Sequence, residues 1–398
     1  MRIKALIVLA GVVITTGVAQ ADTSVKIGVL NDQSGAYADL SGMGSVVAAQ
    51  MAAEDFKKAH KGIEVDVIAA DHQNKADIAA NTSRQWIDQD NVDVIADVPN
   101  SAAALAVNAI VREKNRIHLN SGAGTADLTG EACTANTVHW TYDTWALAHG
   151  TAAALTKQGG NSWFFLAADY TFGRAMERDA KAVIKSLGGE VLGSVFHPLS
   201  SGDFSSFLLQ AQASGAKVVG LANGGADLTN SIKQAAEFGL VQGGQTLAGL
   251  VVFISDIHAL GLEAAQGLVL TEAFYWDQND ATRTFSNRFA ERFGGKMPTM
   301  VHAGVYSSVM HYLKAVEAVG SKDAAKVMAK MKETPVEDPL FGKGEVRQDG
   351  RVIHDMYLFR VKSPEQSKGD WDLYETLATI PAAEAFRPLK DGGCPLVQ

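Results

Sequence analysis

Val25-Lys26-Ile27-Gly28-Val29-Leu30 is followed by Asn31-Asp32-Gln33-Ser34-Gly35-Ala36-Tyr37-Ala38-Asp39, and then by small and apolar residues at helical spacing over 41–59. A short apolar run, a loop of turn residues and a helix make one strand–loop–helix unit. The unit recurs along the chain. Residues 64–70 read as a strand and 77–89 as its helix; 92–96 and 102–114 repeat the pair, and 117–120 is a short fourth strand. A second series follows: strand 162–167 with helix 173–187, strand 191–196 with helix 204–213, strand 217–222 with helix 228–238, then strands over 247–254 and 268–271. Strands alternating with helices of this length imply parallel sheets. Two such series imply two α/β lobes.

The last third reads differently. Residues 281–293, 300–319 and 324–331 have helical patterns in succession, and 351–361 reads as hairpin-like strand structure approached through Gly342, Gly344 and Gly350. The tail over 363–398 is more polar and loop-rich. No solenoid-type period appears, and no low-complexity linker separates the two series. Short crossovers between the lobes are therefore expected.

The chain has 398 residues, 47% of them hydrophobic and 20% charged. That gives ample core and excludes a disordered chain. Lys plus Arg number 35 against 44 Asp plus Glu, a formal net charge of −9 with no basic block. Such a chain is a poor ligand for nucleic acid or an anionic membrane surface. At the N-terminus, Arg2 and Lys4 precede an uncharged apolar stretch over 5–18, and Ala19-Gln20-Ala21 follows. This is the pattern of a cleaved secretory signal peptide over residues 1–21, because the apolar stretch is shorter than the roughly 20 residues a membrane span needs. The expected location is the periplasm. Cys133 and Cys394 are the two cysteines of the chain, too few for a zinc ribbon or an iron–sulfur cluster. In an oxidising compartment they are expected to pair, with two free thiols as the alternative.

Motifs of catalysis are missing from the sequence. There is no Gly-x-Ser-x-Gly elbow and no His-Glu-x-x-His. Gly294-Gly295-Lys296 lacks the spacing of a phosphate loop, and Gly42-Met43-Gly44 lacks the third glycine of a dinucleotide turn, since position 47 is Val. His139, His149, His258, His302 and His311 stand singly and read as packed or surface residues. No cofactor or metal is expected, and the chain does not read as an enzyme.

The strand ends offer a different chemistry. Asp97-Val98-Pro99-Asn100-Ser101 opens a helix, and Asn120-Ser121-Gly122-Ala123-Gly124-Thr125 follows the fourth strand. Open α/β sheets bind ligands at such carboxyl ends. Asn100 or Ser101 at a helix start, with Gly122 and Gly124 allowing close backbone approach, suggests a carboxylate cradle. In the second series, Asp169-Tyr170-Thr171-Phe172-Gly173, Asn223-Gly224-Gly225-Ala226-Asp227, Ser255-Asp256 and Glu272-Ala273-Phe274-Tyr275-Trp276 take equivalent places. Tyr37, Tyr142, Tyr170 and Phe274 are among the aromatics concentrated at these junctions. Rings with a few convergent polar groups suit a small-molecule cleft.

The ordered set of a secretory leader, Ile27-Gly28-Val29-Leu30 with Ser34-Gly35 and Tyr37-Ala38, Asp169-Tyr170-x-Phe172-Gly173 and Asp203-Phe204-Ser205 resembles the leucine/isoleucine/valine-binding type of periplasmic substrate-binding protein of ABC transporters. The resemblance covers nearly the whole chain after the leader. It implies a type I fold: two doubly wound parallel-sheet lobes joined by three crossovers. Residues 22–141 and 273–351 would form the first lobe, and 142–272 with 352–398 the second. A ligand would bind between the lobes and pass to a membrane permease, with the protein a monomer. Carried over position by position, the ligand contacts fall at Tyr37, at Asn100 or Ser101, at Ala123 and Thr125, at Tyr170, at Asn223, near Asp256 and near Phe274. Two features depart from the amino-acid binders. Asp256 matches only approximately the acid that holds an ammonium group, and Ala123-Gly124-Thr125 carries an extra glycine. His139-Trp140-Thr141-Tyr142-Asp143-Thr144 is more similar to members that bind aromatic acids. The expected ligand is a small carboxylate, either an aromatic acid or a hydrophobic amino acid. A ligand-sensing receptor domain of the same fold is the alternative role.

Overall fold

The computed structural model describes residues 23–60 and 62–397. The expected leader over 1–21 lies outside the described residues. Two parallel sheets form the frame. The first contains β1 (Thr23–Asn31), β2 (Ile63–Asp71), β3 (Val94–Asp97), β4 (Ile117–Asn120) and β5 (Thr137–His139), in the order β2-β1-β3-β4-β5. The second contains β6 (Ser162–Ala168), β7 (Glu190–His197), β8 (Val218–Ala222) and β9 (Thr246–Gly249), in the order β7-β6-β8-β9. Every pairing within these sheets is parallel. Both sheets reverse their strand order beside the first strand of the series, at β1/β3 and at β6/β8. That is the switch point at which doubly wound sheets open a crevice.

The inner strands β3, β4 and β8 are buried on both faces, as parallel strands flanked by helices must be, while the edge strands β2 and β7 are partly exposed. Val25, Ile27 and Val29 of β1 pack with Val46, Ala49 and Phe56 of helix Gly42–Ala59. Helices Asp280–Arg292 and Met300–Val319 return to the first lobe. Arg288 and Arg292 grip Asp55 and Glu54 on helix Gly42–Ala59 at 2.7 Å each. On the second lobe, Leu166, Leu221 and Leu228 share a cluster with Phe204 and Ile232.

Three local expectations are corrected. The apolar stretch 247–254 is not one strand. β9 stops at Gly249, the chain bends through Val251 and Phe253, and helix Ile254–Leu260 begins. Residues 351–361 are not a hairpin. β11 (Val336–Asp338), β12 (Gly342–Val346) and β13 (Val352–Ile353) form one small antiparallel sheet. β14 (Met356–Val361) pairs instead between β10 (Val269–Glu272) and β15 (Tyr374–Ile380) in another. The region 363–398 therefore contains a full strand. Beyond β15 the chain leaves the second lobe. Arg387 donates to the Ala126 carbonyl at 3.0 Å, and Cys394 is disulfide-bonded to Cys133 with a Cα–Cα distance of 5.5 Å. A second-lobe assignment for all of 352–398 does not describe where this last segment packs.

Candidate ligand-binding site

The carboxyl ends of both sheets face one another across a small cavity. The first lobe contributes Tyr37 and Leu40 after β1, Pro99 after β3, and Gly122 and Gly124 after β4. Tyr142 follows β5. The second lobe contributes Tyr170 and Phe172 after β6, Gly224 after β8, and Val251 and Phe253 after β9. The lobes touch around this space. The Tyr37 and Tyr170 hydroxyls are 2.6 Å apart, and the Ala226 N–H donates to the Ala36 carbonyl at 3.1 Å. The arrangement is a closed one.

The first-lobe wall is held by a dense polar network. The Asp32 carboxylate accepts the N–H groups of Gly35 and Tyr37 at 2.8 Å each, which fixes the turn that presents Tyr37. Asp97 and Val98 have φ of 78° and 61°, backbone values that residues with a Cβ adopt at a cost. The turn persists because Asp97 is tied down: its carboxylate accepts from Ser41 Oγ at 2.6 Å and Asn31 Nδ2 at 3.1 Å. Burial pushes its pKa up. Pro99 is thereby pressed against Gly122, where an added Cβ would lie 2.8 Å from Pro99 Cα and 2.6 Å from Asp97 Oδ1.

Behind this wall stand most members of the expected carboxylate cradle. Asn100 caps its own helix, Ser101–Glu113, by accepting from Ala102 and Ala103 N–H at 3.0 and 3.1 Å. Ser101 Oγ accepts the Thr125 N–H at 3.2 Å, and Thr125 Oγ1 accepts from Asp127 at 3.3 Å. The Ala123 N–H donates to Asn120 Oδ1 at 3.1 Å. These four build the wall rather than line the cavity. Gly122 does line it, with Gly124.

The second-lobe wall is made of rings. Tyr142 and Phe253 meet edge to face at 5.8 Å, and Tyr170 and Phe172 lie 6.3 Å apart. Burial, and then the Tyr170 hydroxyl, raise the Tyr37 pKa. Burial likewise pushes the Tyr170 pKa upward. Three expected contacts sit elsewhere. Phe274 is in the core, edge-on to Phe285 at 6.2 Å. Asn223 is buried with Nδ2 on His197 Nε2 and Ser231 Oγ, at 3.0 and 2.9 Å. Asp256 caps the start of its helix by accepting the Phe253 N–H at 2.9 Å, and burial lifts its pKa to about 7. Leu40, Pro99, Phe172, Gly224, Val251 and Phe253 line the cavity without having been expected as contacts, whereas Gly124 was expected within the cradle and does line it. Most stand in the strand-end loops singled out in the sequence, so the loops were the signal and the facing of each side chain was not.

Among the described residues, none that lines the cavity is Asp, Glu, Lys, Arg, His, Ser or Cys. The cavity therefore presents rings, backbone groups and tyrosine hydroxyls. Two lobes of doubly wound sheet closing over a ring-lined cleft define a bilobal solute-binding protein. The chain belongs to the periplasmic binding protein family, whose sequence model matches residues 24–370. It is similar to a periplasmic binding protein of Burkholderia mallei, with 50% identity, 95% of this chain and 100% of that one covered, and a TM-score of 0.92. A branched chain amino acid ABC transporter periplasmic ligand-binding protein of Burkholderia xenovorans is 40% identical, over 94% of this chain and 100% of that one, with a TM-score of 0.83. A Leu/Ile/Val-binding protein homolog of Brucella melitensis is 28% identical, over 83% of this chain and 86% of its own length.

Proposed function

We propose that this chain is the extracytoplasmic solute-binding component of an ABC transporter and that its ligand is a small carboxylate with an aromatic body. It would act in the periplasm as a monomer, after loss of residues 1–21, and deliver its ligand to a permease. The lining of the cleft carries the reading. Tyr37, Tyr142, Tyr170, Phe172 and Phe253 surround the cavity, and no acid lines it to pair with an ammonium group. Tyr37 and Tyr170 share one hydrogen bond between two hydroxyls, so one O–H remains to donate to a ligand oxygen. Ligand would favour the closed state because it touches both lobes at once. The same lining supports a binding role over an enzymatic one: among the described residues it holds no Ser, Cys, Lys, His or carboxylate, and burial raises the pKa of its Tyr37, Tyr142 and Tyr170 hydroxyls.

The test is calorimetry on protein unfolded, dialysed and refolded to remove carried ligand. Benzoate, 4-hydroxybenzoate and cinnamate are compared with leucine, isoleucine, valine and phenylalanine. Binding of the aromatic acids with the amino acids silent is the expected result; the reverse overturns the ligand assignment. Branched-chain amino acids are the second reading, favoured by the name of the 40% identical Burkholderia relative. Uptake by a deletion strain separates transport from sensing.

A further inference from the structure

The chain passes between the lobes after His139, after Glu272 and at His354-Asp355. The first and third of these crossovers are braced together. Arg351 is buried, and its guanidinium donates to the carbonyls of Thr141 at 2.6 Å and Tyr142 at 3.1 Å. The Asp143 carboxylate lies 3.6 Å away. His354 Nε2 is 3.1 Å from the Trp140 carbonyl. Burial pulls the Arg351 pKa down only to about 10, so the group stays charged at neutral pH.

The roof over this brace comes from the end of the chain. The Phe386 ring lies 4.1 Å from the guanidinium carbon and meets His354 edge-on at 5.2 Å. Its segment is fastened on both sides. Before it, the Ala382 N–H donates to Asp355 Oδ1 at 2.8 Å. After it, the Arg387 carbonyl accepts from Arg347 at 2.8 Å, and Cys394 is bonded to Cys133 across 261 residues of sequence. On the other side, the Tyr142 carbonyl held by Arg351 belongs to a residue whose ring lines the cleft and whose hydroxyl donates to the Gly122 carbonyl.

We propose that Arg351, roofed by Phe386 of the disulfide-tethered tail, is a positioning residue that locks the first and third crossovers together and so sets how far the lobes part in the unliganded protein. Hinge motion is absorbed by φ/ψ changes in a few connecting residues. A guanidinium fork on two successive carbonyls opposes such changes, and a lysine offers no comparable fork. Phe386 keeps water from replacing those carbonyls. The disulfide holds Phe386 at high effective concentration over the guanidinium. The inference does not depend on which ligand binds.

The experiment uses the full chain stripped of ligand, at a temperature well below melting. Small-angle scattering reports the radius of gyration, and hydrogen exchange reports residues 139–143 and 350–356. Phe386→Ala and the double variant Cys133→Ser/Cys394→Ser are expected to shift the radius of gyration upward and to speed exchange in both segments by about tenfold. Arg351→Lys is expected to behave like Phe386→Ala. Unchanged scattering and exchange in the first two variants, with only the melting temperature lowered, would make the tail a plain staple and overturn the proposal. A folded Arg351→Lys protein indistinguishable from wild type would overturn it as well. If that variant does not fold, the first two decide.

Discussion

The two walls of the cleft are built on opposite plans. The first-lobe wall brings backbone to the cavity: Pro99, Gly122 and Gly124 line it, and Asp32, Asp97, Asn100, Ser101 and Asn120 spend their hydrogen bonds holding those loops in place. The second-lobe wall brings rings, with Tyr170, Phe172 and Phe253 supported by apolar packing. Tyr37 and Leu40 add a ring and an apolar side chain on the first side, but backbone makes up more of that wall and rings more of the other. Polar residues near the cleft thus serve its architecture on one side, while the surface that lines it is uncharged on both.

The contact between the walls gives the largest expected effect. Gly225 has φ of 59°, and a Cβ there would run into the Ala36 carbonyl of the opposite lobe. Gly225→Ala meets both a left-handed backbone and a clash that exists only when the lobes are closed. The clash falls on the closed form alone; a backbone contact this close belongs at the upper end of overpacking costs, about 3 kcal/mol, and should weaken ligand binding by roughly 100-fold. The backbone strain, about 1–2 kcal/mol, falls on open and closed forms alike, so stripped protein should lose stability by that term only, less than the loss of binding free energy. Equal losses in calorimetry and in thermal melts would show that the position matters to the fold and not to closure.

Tyr170→Ala comes next. It removes a ring from the second wall and the hydroxyl that meets Tyr37. Loss of ring contact and one hydrogen bond should cost about 1–3 kcal/mol of ligand affinity, measured by calorimetry. Tyr37→Phe removes only the shared hydroxyl contact, at about 0.5–1.5 kcal/mol. In a double-mutant cycle, Tyr37→Phe and Tyr170→Phe should be less than additive, because either one abolishes the same contact. Strict additivity would mean that each hydroxyl acts alone.

The unequal walls also explain what the sequence revealed. The strand series and their loops were legible because apolar runs, turn residues and helix spacing repeat along the chain. Tyr37, Gly122, Tyr142 and Tyr170 follow from that reading and do line the cleft. Phe253 and Val251 were hidden inside an apolar run that looks like a strand, since periodicity cannot separate a buried strand from a buried bend. Phe274 was misplaced because its facing is decided by Phe285 on a helix distant in sequence. Asn100 and Asp256 illustrate another ambiguity: the residue types that hold a ligand at a helix start are the same ones that cap the helix. β15 escaped because four of its seven positions are exposed polar or small residues, so its Tyr374-Glu375-Thr376-Leu377-Ala378-Thr379-Ile380 has little apolar signal.

Asp256 is where the comparison is sharpest and the expected effect on binding smallest. If it is a cap, Asp256→Asn keeps an oxygen to accept the Phe253 N–H and leaves ligand affinity unchanged. The change should appear in stability instead. Burial raises the carboxyl to about 7 in the folded protein, from 3.8 for a free group. The folded state therefore binds the proton more tightly than the unfolded chain does. Its stabilising effect is full below about 4 and is lost as pH rises from about 4 to about 7, with no further change above. The amide does not titrate. Denaturant melts should find the variant close to wild type at pH 4 and more stable than wild type at pH 8, by a few kcal/mol in order of magnitude. If Asp256→Asn instead abolishes binding of leucine or valine with no such pH signature, the acid reads an ammonium group. The second wall would then be charged where a ligand meets it, and the branched-chain amino acid reading would replace the aromatic one.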